Sequence, residues 1–328
     1  SNHSSVDDSY KLLSRIQQKL REDDKNKLNI TLSIGLEKIS KYDKNALSKL
    51  LKTERDHIDL KIPEIAFEAI DFGFKKERFY VSSELGLVHD PQLNLYRDKL
   101  VADNIEEQQL YGTLLRNLPI DVSIEKVEVL DGNIGYEELV KRGNTAGKIS
   151  LNEVNAMATN ISNTYAVGEK TLVAVNAKLM DTAPLELEWS FDATNNMDVM
   201  TASGSVLNFE SKSINQFLEA NLGVKAEGKI DAMYFTINGD NRKASGDMKM
   251  SYRNFRFSIL RKNRLGVNKL LSAIGNLFIN DGSKTDTDGF RHGKIRVERD
   301  PTKSFFNYLW INVRDGIGST LTGDGKKE

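Results

Sequence analysis

Between Ala244 and Tyr252 every second residue changes character. Ala244, Gly246, Met248, Met250 and Tyr252 are apolar or small, while Ser245, Asp247, Lys249 and Ser251 are polar. A period of two puts these sets on opposite faces of a β-strand, one dry and one wet. The same code recurs over 28–34, 58–69, 79–96, 122–129, 134–140, 149–156, 173–179, 185–191, 197–207, 230–237 and 295–297. Pro63 predicts an edge or break in the second of these, and Asp90-Pro91 a bend in the third. Asp131-Gly132-Asn133 and Asn238-Gly239-Asp240-Asn241 read as hairpin turns, the first because Gly supplies a positive φ.

Helical spacing appears in fewer places. Tyr10, Leu13, Ile16 and Leu20 predict a helix over 1–24, and Asp43 caps a short one through Leu51. Residues 104–116 read as helical or irregular. Ile214, Phe217 and Leu218 give a helix over 211–222 that Gly223 ends. Val267, Leu270, Leu271, Ile274, Leu277 and Phe278 give another over 264–280. The last begins with Asp300 as N-cap and Pro301 as its first residue. The expected fold is mainly β: a long curved antiparallel sheet of about a dozen strands, groove-like or a half-open barrel, under a few amphipathic helices. Its segments are an N-terminal helix (1–24), a first β-rich segment (25–120), the main sheet (121–300), and a terminal helix with its tail (301–328).

Composition narrows the function. In 328 residues, 46 Lys+Arg face 47 Asp+Glu for a net charge of -1, so the basic excess that nucleic acid demands is missing. Cysteine is absent, which removes disulfides and thiolate chemistry. No apolar run reaches the length of a spanning helix. The chain starts at Ser1-Asn2-His3 without methionine, so an upstream anchor is expected to precede it.

No catalytic constellation emerges. There is no Gly-x-Ser-x-Gly elbow, and Asp315-Gly316-Ile317-Gly318-Ser319 follows a helical stripe instead of a strand, which fits a helix end and not a phosphate loop. His3, His57, His89 and His292 lie in different elements, none paired at metal-ligand spacing. Asp286 and Asp288 in the loop 281–289 are calcium ligands by type, yet no Glu follows at EF-hand spacing, and a solvated loop is the simpler reading. No cofactor, and no enzyme, is expected.

Two readings of the apolar face stay open. Leu185, Leu187, Trp189 and Phe191, with Met248, Met250, Tyr252, Phe255 and Phe257, either line a trough for a lipid acyl chain or form a dry core under the helices. The trough would gain about 0.8 kcal/mol per buried methylene. The terminal stripe of Phe305, Phe306, Leu309, Trp310, Val313 and Ile317 either packs on the sheet as an end plug or lies on a membrane, with packing the commoner outcome.

Several passages taken together resemble a known family. Asn94-Leu95-Tyr96-Arg97-Asp98-Lys99 is followed by Ile124-Glu125-Lys126-Val127-Glu128-Val129 running into Asp131-Gly132-Asn133-Ile134-Gly135-Tyr136, then Gly147-Lys148-Ile149-Ser150-Leu151. Gly228-Lys229-Ile230-Asp231 and Ser251-Tyr252-Arg253-Asn254-Phe255 follow, and Phe305-Phe306-Asn307-Tyr308-Leu309-Trp310 closes the series. Over roughly residues 80–320 the chain resembles the AsmA-like family of bacterial envelope proteins, whose TamB-like relatives are similar to bridge-like lipid transfer proteins. The resemblance implies a periplasmic β-rich body tethered to the inner membrane by an N-terminal helix, binding lipid or supporting outer-membrane assembly. The alternative is a periplasmic scaffold that binds a protein or glycan partner through a sheet edge or loops.

Overall fold

The structure, a computed structural model, describes residues 28–35 (backbone only), 52–140, 145–164, 166–260, 285–323 and 325–327, without the side chains of Phe257 and Ile259. The helices expected over 1–24, 43–51 and 264–280 lie outside the described residues. Thirteen strands of the described residues form one sheet, which runs without interruption across the expected segment boundary at residue 120.

The register makes this sheet simpler than its strand count. β2 (Asp56–Glu68) and β3 (Asp71–Lys75) line up as one strand, and so do β4 (Arg78–His89) and β5 (Gln92–Asp98). A single register carries Asp56 opposite Arg97, Glu64 opposite His89 and Asp71 opposite Ser82. A two-residue turn closes this hairpin, with Lys76 and Glu77 at φ 48° and 68°, the left-handed pair that matches strand twist. β1 (Leu28–Gly35) joins it along β2. β6 (Asp121–Leu139) then runs parallel to both β4 and β5. A parallel neighbour needs a crossover, and residues 99–120 supply it with one short helix, α1 (Tyr111–Arg116). From β6 the chain meanders antiparallel through β7 (Gly147–Ser162), β8 (Thr171–Leu179), β9 (Ala183–Phe191), β10 (Met200–Glu210), β11 (Val224–Gly239), β12 (Lys243–Ile259) and β13 (Arg291–Glu298). Each strand therefore lies beside its predecessor in the chain.

One expected turn is a bulge. Asp131-Gly132-Asn133 does not reverse the chain, and β6 continues through it. Asp131 takes φ 55°, the register against β7 slips there, and the side chains change face. Glu153 (φ 50°) marks a second slip, between β7 and β8, while Asp90 (φ 48°) takes the same backbone conformation without a register change, and its amide donates to the Leu130 carbonyl at 2.9 Å. A second line of irregular residues, Asn208, Gly228 and Asn254, crosses β10 to β12 with φ of 53°, 90° and 51°. Bulges aligned across adjacent strands bend a sheet.

Two helical pieces cover part of one face. The segment α2 joins a tight turn Ser211–Ile214, an α turn Asn215–Phe217 and a wide turn Leu218–Leu222, and Gly223 ends it at φ 65°. The helix α3 spans Phe305–Thr322 and starts later than expected, because Ser304 is its cap: the Asn307 amide donates to the Ser304 hydroxyl at 3.3 Å. Asp300 instead holds the preceding turn, accepting from the Thr302 amide and hydroxyl. Asp315 to Ser319 thus lie inside the helix. Gly316 sits close on the sheet, since a Cβ there would come 2.8 Å from Met248 Cε and 3.0 Å from Ile295 Cγ1. The core lies beneath α3: Met200, Ala202, Phe235, Ile237, Met248, Met250, Ile295, Phe305 and Tyr308 are all buried.

α3 and the tail also occupy the outer edge of β13. The outward amides of His292, Lys294 and Arg296 donate to the Gly325 carbonyl at 3.1 Å, the Ser319 hydroxyl at 2.8 Å and the Asp315 carboxylate at 2.9 Å. Those donors are the groups an exposed edge would offer to a foreign strand.

Candidate functional site: a half-covered apolar face

Rows of side chains cross the sheet from strand to strand. One runs Ile65, Val88, Val129, Ala156, Val175, Leu187, Gly204, Phe235, Met248. Beside it runs Phe67, Gly86, Val127, Ala158, Val173, Trp189, Ala202, Ile237, Gly246, Ile295. Past the bulge line a third holds Leu60, Leu93, Ile134, Leu151 and Leu179. The opposite face across the same strands carries Glu128, Glu188, Ser203, Thr236, Asp247 and Lys294, with the apolar Met157 and Ala174 on β7 and β8 between the first two.

Burial changes along these rows. Phe235, Met248, Ala202, Ile237 and Ile295 are sealed, with Ile237 and Ile295 at 0% exposure. Ile65, Val88, Val129, Ala156, Val175, Phe67, Val127, Ala158 and Val173 are all half-buried. α3 packs on β11, β12 and β13, and α2 on β7, β11 and the end of β6. The crossover is drawn to the same side: Leu110 is buried in the core, the Arg116 guanidinium donates to the Ala193 carbonyl at 2.7 Å, and Thr113 donates to Asp198 at 2.6 Å. Among the described residues, the apolar surface thus continues beyond its helical cover.

Of the two readings of these residues, the structure gives the dry core for those described on β12. Met248, Met250, Tyr252 and Phe255 are core residues under α3, none more than 7% exposed. Leu185, Leu187, Trp189 and Phe191 are partly buried and pack against that core. The reason is tertiary: β12 alternates as β8 does, but the helix lands on β12. Among the helix candidates, Phe305 stacks on Trp189 (5.6 Å between centroids) and Tyr111 (5.3 Å), and Trp310 meets Phe217 at 6.3 Å. Leu309, Val313 and Ile317 face the core, and Phe306 is 55% exposed. The packed arrangement prevails.

A charged rim closes one end of the third row. Asp56, Arg97 and Glu138 are direct neighbours across β2, β5 and β6. Arg97 grips Asp56 through two hydrogen bonds of 2.6 Å. Burial opposes its charge, but the Asp56 carboxylate outweighs this and raises its pKa. Glu138 accepts from Tyr136 at 2.6 Å and Asn221 at 3.2 Å, and pairs with Lys99 at 3.1 Å. Burial, then the Glu138 charge, pushes the Tyr136 phenol up and keeps it neutral. Lys303 reaches Glu54 at 3.3 Å. Every one of these charges is matched, which suits a structural border and gives no pair poised for acid–base catalysis.

Sequence reasoning missed one cluster. His292 and the loop carboxylates Asp286 and Asp288 converge, their ligand atoms within 4.8 Å of one another. The histidine was separated from the pair only by treating the strand and its preceding loop as different elements. No helix among the described residues is long and apolar enough to cross a membrane. No protein-family model matches this chain, and no curated protein matches it either.

Proposed function

We propose that this chain is a lipid-binding domain of AsmA-like character, non-enzymatic, and that the half of its apolar face not covered by the described helices, on β2, β4, β6, β7 and β8, receives acyl chains. The observation that carries the reading is the continuation of unbroken apolar rows from a sealed core onto strands where their side chains are only half-buried. Contiguous apolar surface on a folded protein marks a binding site, and a methylene leaving water there gains about 0.8 kcal/mol. The paired charges of Asp56, Arg97, Glu138 and Lys99 border this surface and suit a polar headgroup at its end. A periplasmic setting, with tethering to the inner membrane, belongs to the same proposal. The capped edge of β13 weighs against a scaffold that recruits a partner strand there.

The test is lipid uptake by delipidated protein, read by native mass spectrometry and by displacement of a fluorescent fatty acid. Val129→Lys and Val175→Lys place a charge among the half-buried rows and should abolish uptake while circular dichroism is unchanged. Thr159→Lys, on the other face, should leave uptake intact. Equal uptake in all three variants would remove the proposal.

A further inference from the structure

The cluster at the entrance to β13 has no role in the apolar face. His292 Nε2 stands 3.2 Å from Asp288 Oδ2 and 3.9 Å from Asp286 Oδ2. Two ligands of a tetrahedral ion with bonds of 2.0–2.1 Å stand about 3.4 Å apart, so these separations bracket what a bound ion requires. We propose that Asp286, Asp288 and His292 form a binding site for a divalent transition-metal ion, with Zn2+ as the best-matched species.

The loop arranges its ligands before any ion arrives. The Asp286 amide donates to the Phe290 carbonyl at 2.8 Å, and the Gly289 amide to the Asp286 carbonyl at 2.9 Å. The Phe290 amide fixes one Asp288 oxygen at 2.9 Å, leaving Oδ2 turned to the imidazole. The Thr287 amide, at 2.9 Å, and the Lys327 amide, at 3.2 Å, hold Asp286. His292 has only 15% of its side chain exposed, so its ring is held by its surroundings. The charged neighbour from the adjacent strand is Lys249, whose ammonium lies over the rings of Phe290 at 4.7 Å and Tyr234 at 5.2 Å. It contributes to holding the Asp288 carboxyl below its ordinary range, after the Phe290 amide and His292, and it moderates cation affinity.

Ligand type selects the ion. Calcium takes six to eight oxygens at 2.3–2.6 Å, and this site offers two carboxylates and a nitrogen. Imidazole with carboxylate suits zinc and its neighbours, and a solvent molecule would complete four-coordination. A bound ion would fasten the loop before β13 to the chain terminus, since the His292 amide already donates to Gly325 and Asp286 already accepts from Lys327.

The experiment is calorimetric titration of chelator-treated protein with ZnCl2, alongside thermal unfolding with and without the metal. One Zn2+ per chain is expected, with a Kd of about 10 µM or tighter, and a raised Tm. His292→Gln and Asp288→Asn should each weaken binding at least about 10-fold, and CaCl2 should bind more weakly than Zn2+. If a variant fails to fold, histidine 15N spectra of the wild-type chain decide, because Zn2+ must shift His292 Nε2 ahead of the rings of His3, His57 and His89. Unsaturable uptake, unchanged affinity in both variants, a preference for calcium, or an unmoved His292 resonance would each overturn the site and leave a plain histidine–aspartate ion pair.

Discussion

Truncating Met250 to alanine tests the boundary between sealed and open surface. Met250 is 0% exposed, lies opposite Met233 on β11, and belongs to the core beneath α3. Removing a fully buried methionine side chain costs about 2–5 kcal/mol, because the cavity left behind adds to the lost transfer energy. For a chain of this size a loss of about 3 kcal/mol lowers Tm by roughly 4 °C. Val129→Ala is the matched perturbation on the uncovered half. Val129 is half-buried, so its two lost methyl groups surrender only part of their transfer energy, under about 1 kcal/mol. Urea denaturation and scanning calorimetry on both variants, without lipid, provide the comparison. A Val129→Ala cost equal to that of Met250→Ala would mean that the first half of the face is as tightly covered as the second, and the open trough would be refuted. A Met250→Ala cost below about 1 kcal/mol would mean that α3 does not seal the core.

Three other outcomes follow from the packing and charges. Gly293→Ala sets a Cβ 2.5 Å from the Thr320 amide nitrogen and 2.9 Å from its Cα; backbone cannot give way as a side chain does, so a loss of about 1–3 kcal/mol and earlier hydrogen exchange in α3 are expected. Asp240 accepts from the Arg242 and Lys243 amides at 2.7 and 2.9 Å; partial burial opposes its charge, yet these bonds keep its pKa lowered. A depressed carboxylate stabilises the fold above its unfolded pKa of about 3.9 and loses that contribution as pH falls through the folded value. The Tm gap between wild type and Asp240→Asn should therefore be full at pH 6 and shrink below about pH 4. The double variant Asp315→Ala with Ser319→Ala frees the Arg296 and Lys294 amides and should increase concentration-dependent association in sedimentation velocity relative to wild type.

Much of the fold is written in local pattern, and the exceptions have physical causes. Leu185, Leu187, Trp189 and Phe191 alternate with Pro184, Glu186, Glu188 and Ser190, and β9 covers them all, starting slightly earlier, at Ala183. The bend at Asp90-Pro91 is legible because proline interrupts pairing where two strands remain in one register. Asp131-Gly132 has turn chemistry but a bulge fate, since a left-handed residue can reverse a chain or shift its register, and the neighbouring bulges decide which. Which half of the apolar face is covered is not encoded in either strand. Val175 and Met248 share a row through Leu187, Gly204 and Phe235, and only the landing site of α3 separates them. His292 was illegible as a partner of Asp288 for a related reason: the hydrogen bonds of the loop, and not sequence spacing, bring the ring to the carboxylate.

The stoppered flank at β13 gives the ribbon a direction. A strand arriving there from a neighbouring molecule would have to displace Asp315, Ser319 and the Gly325 carbonyl before it found a free donor. Among the described residues, a sheet extended by pairing at β13 would therefore have to break these contacts first. The helix that roofs the core thus also serves as the guard of that flank.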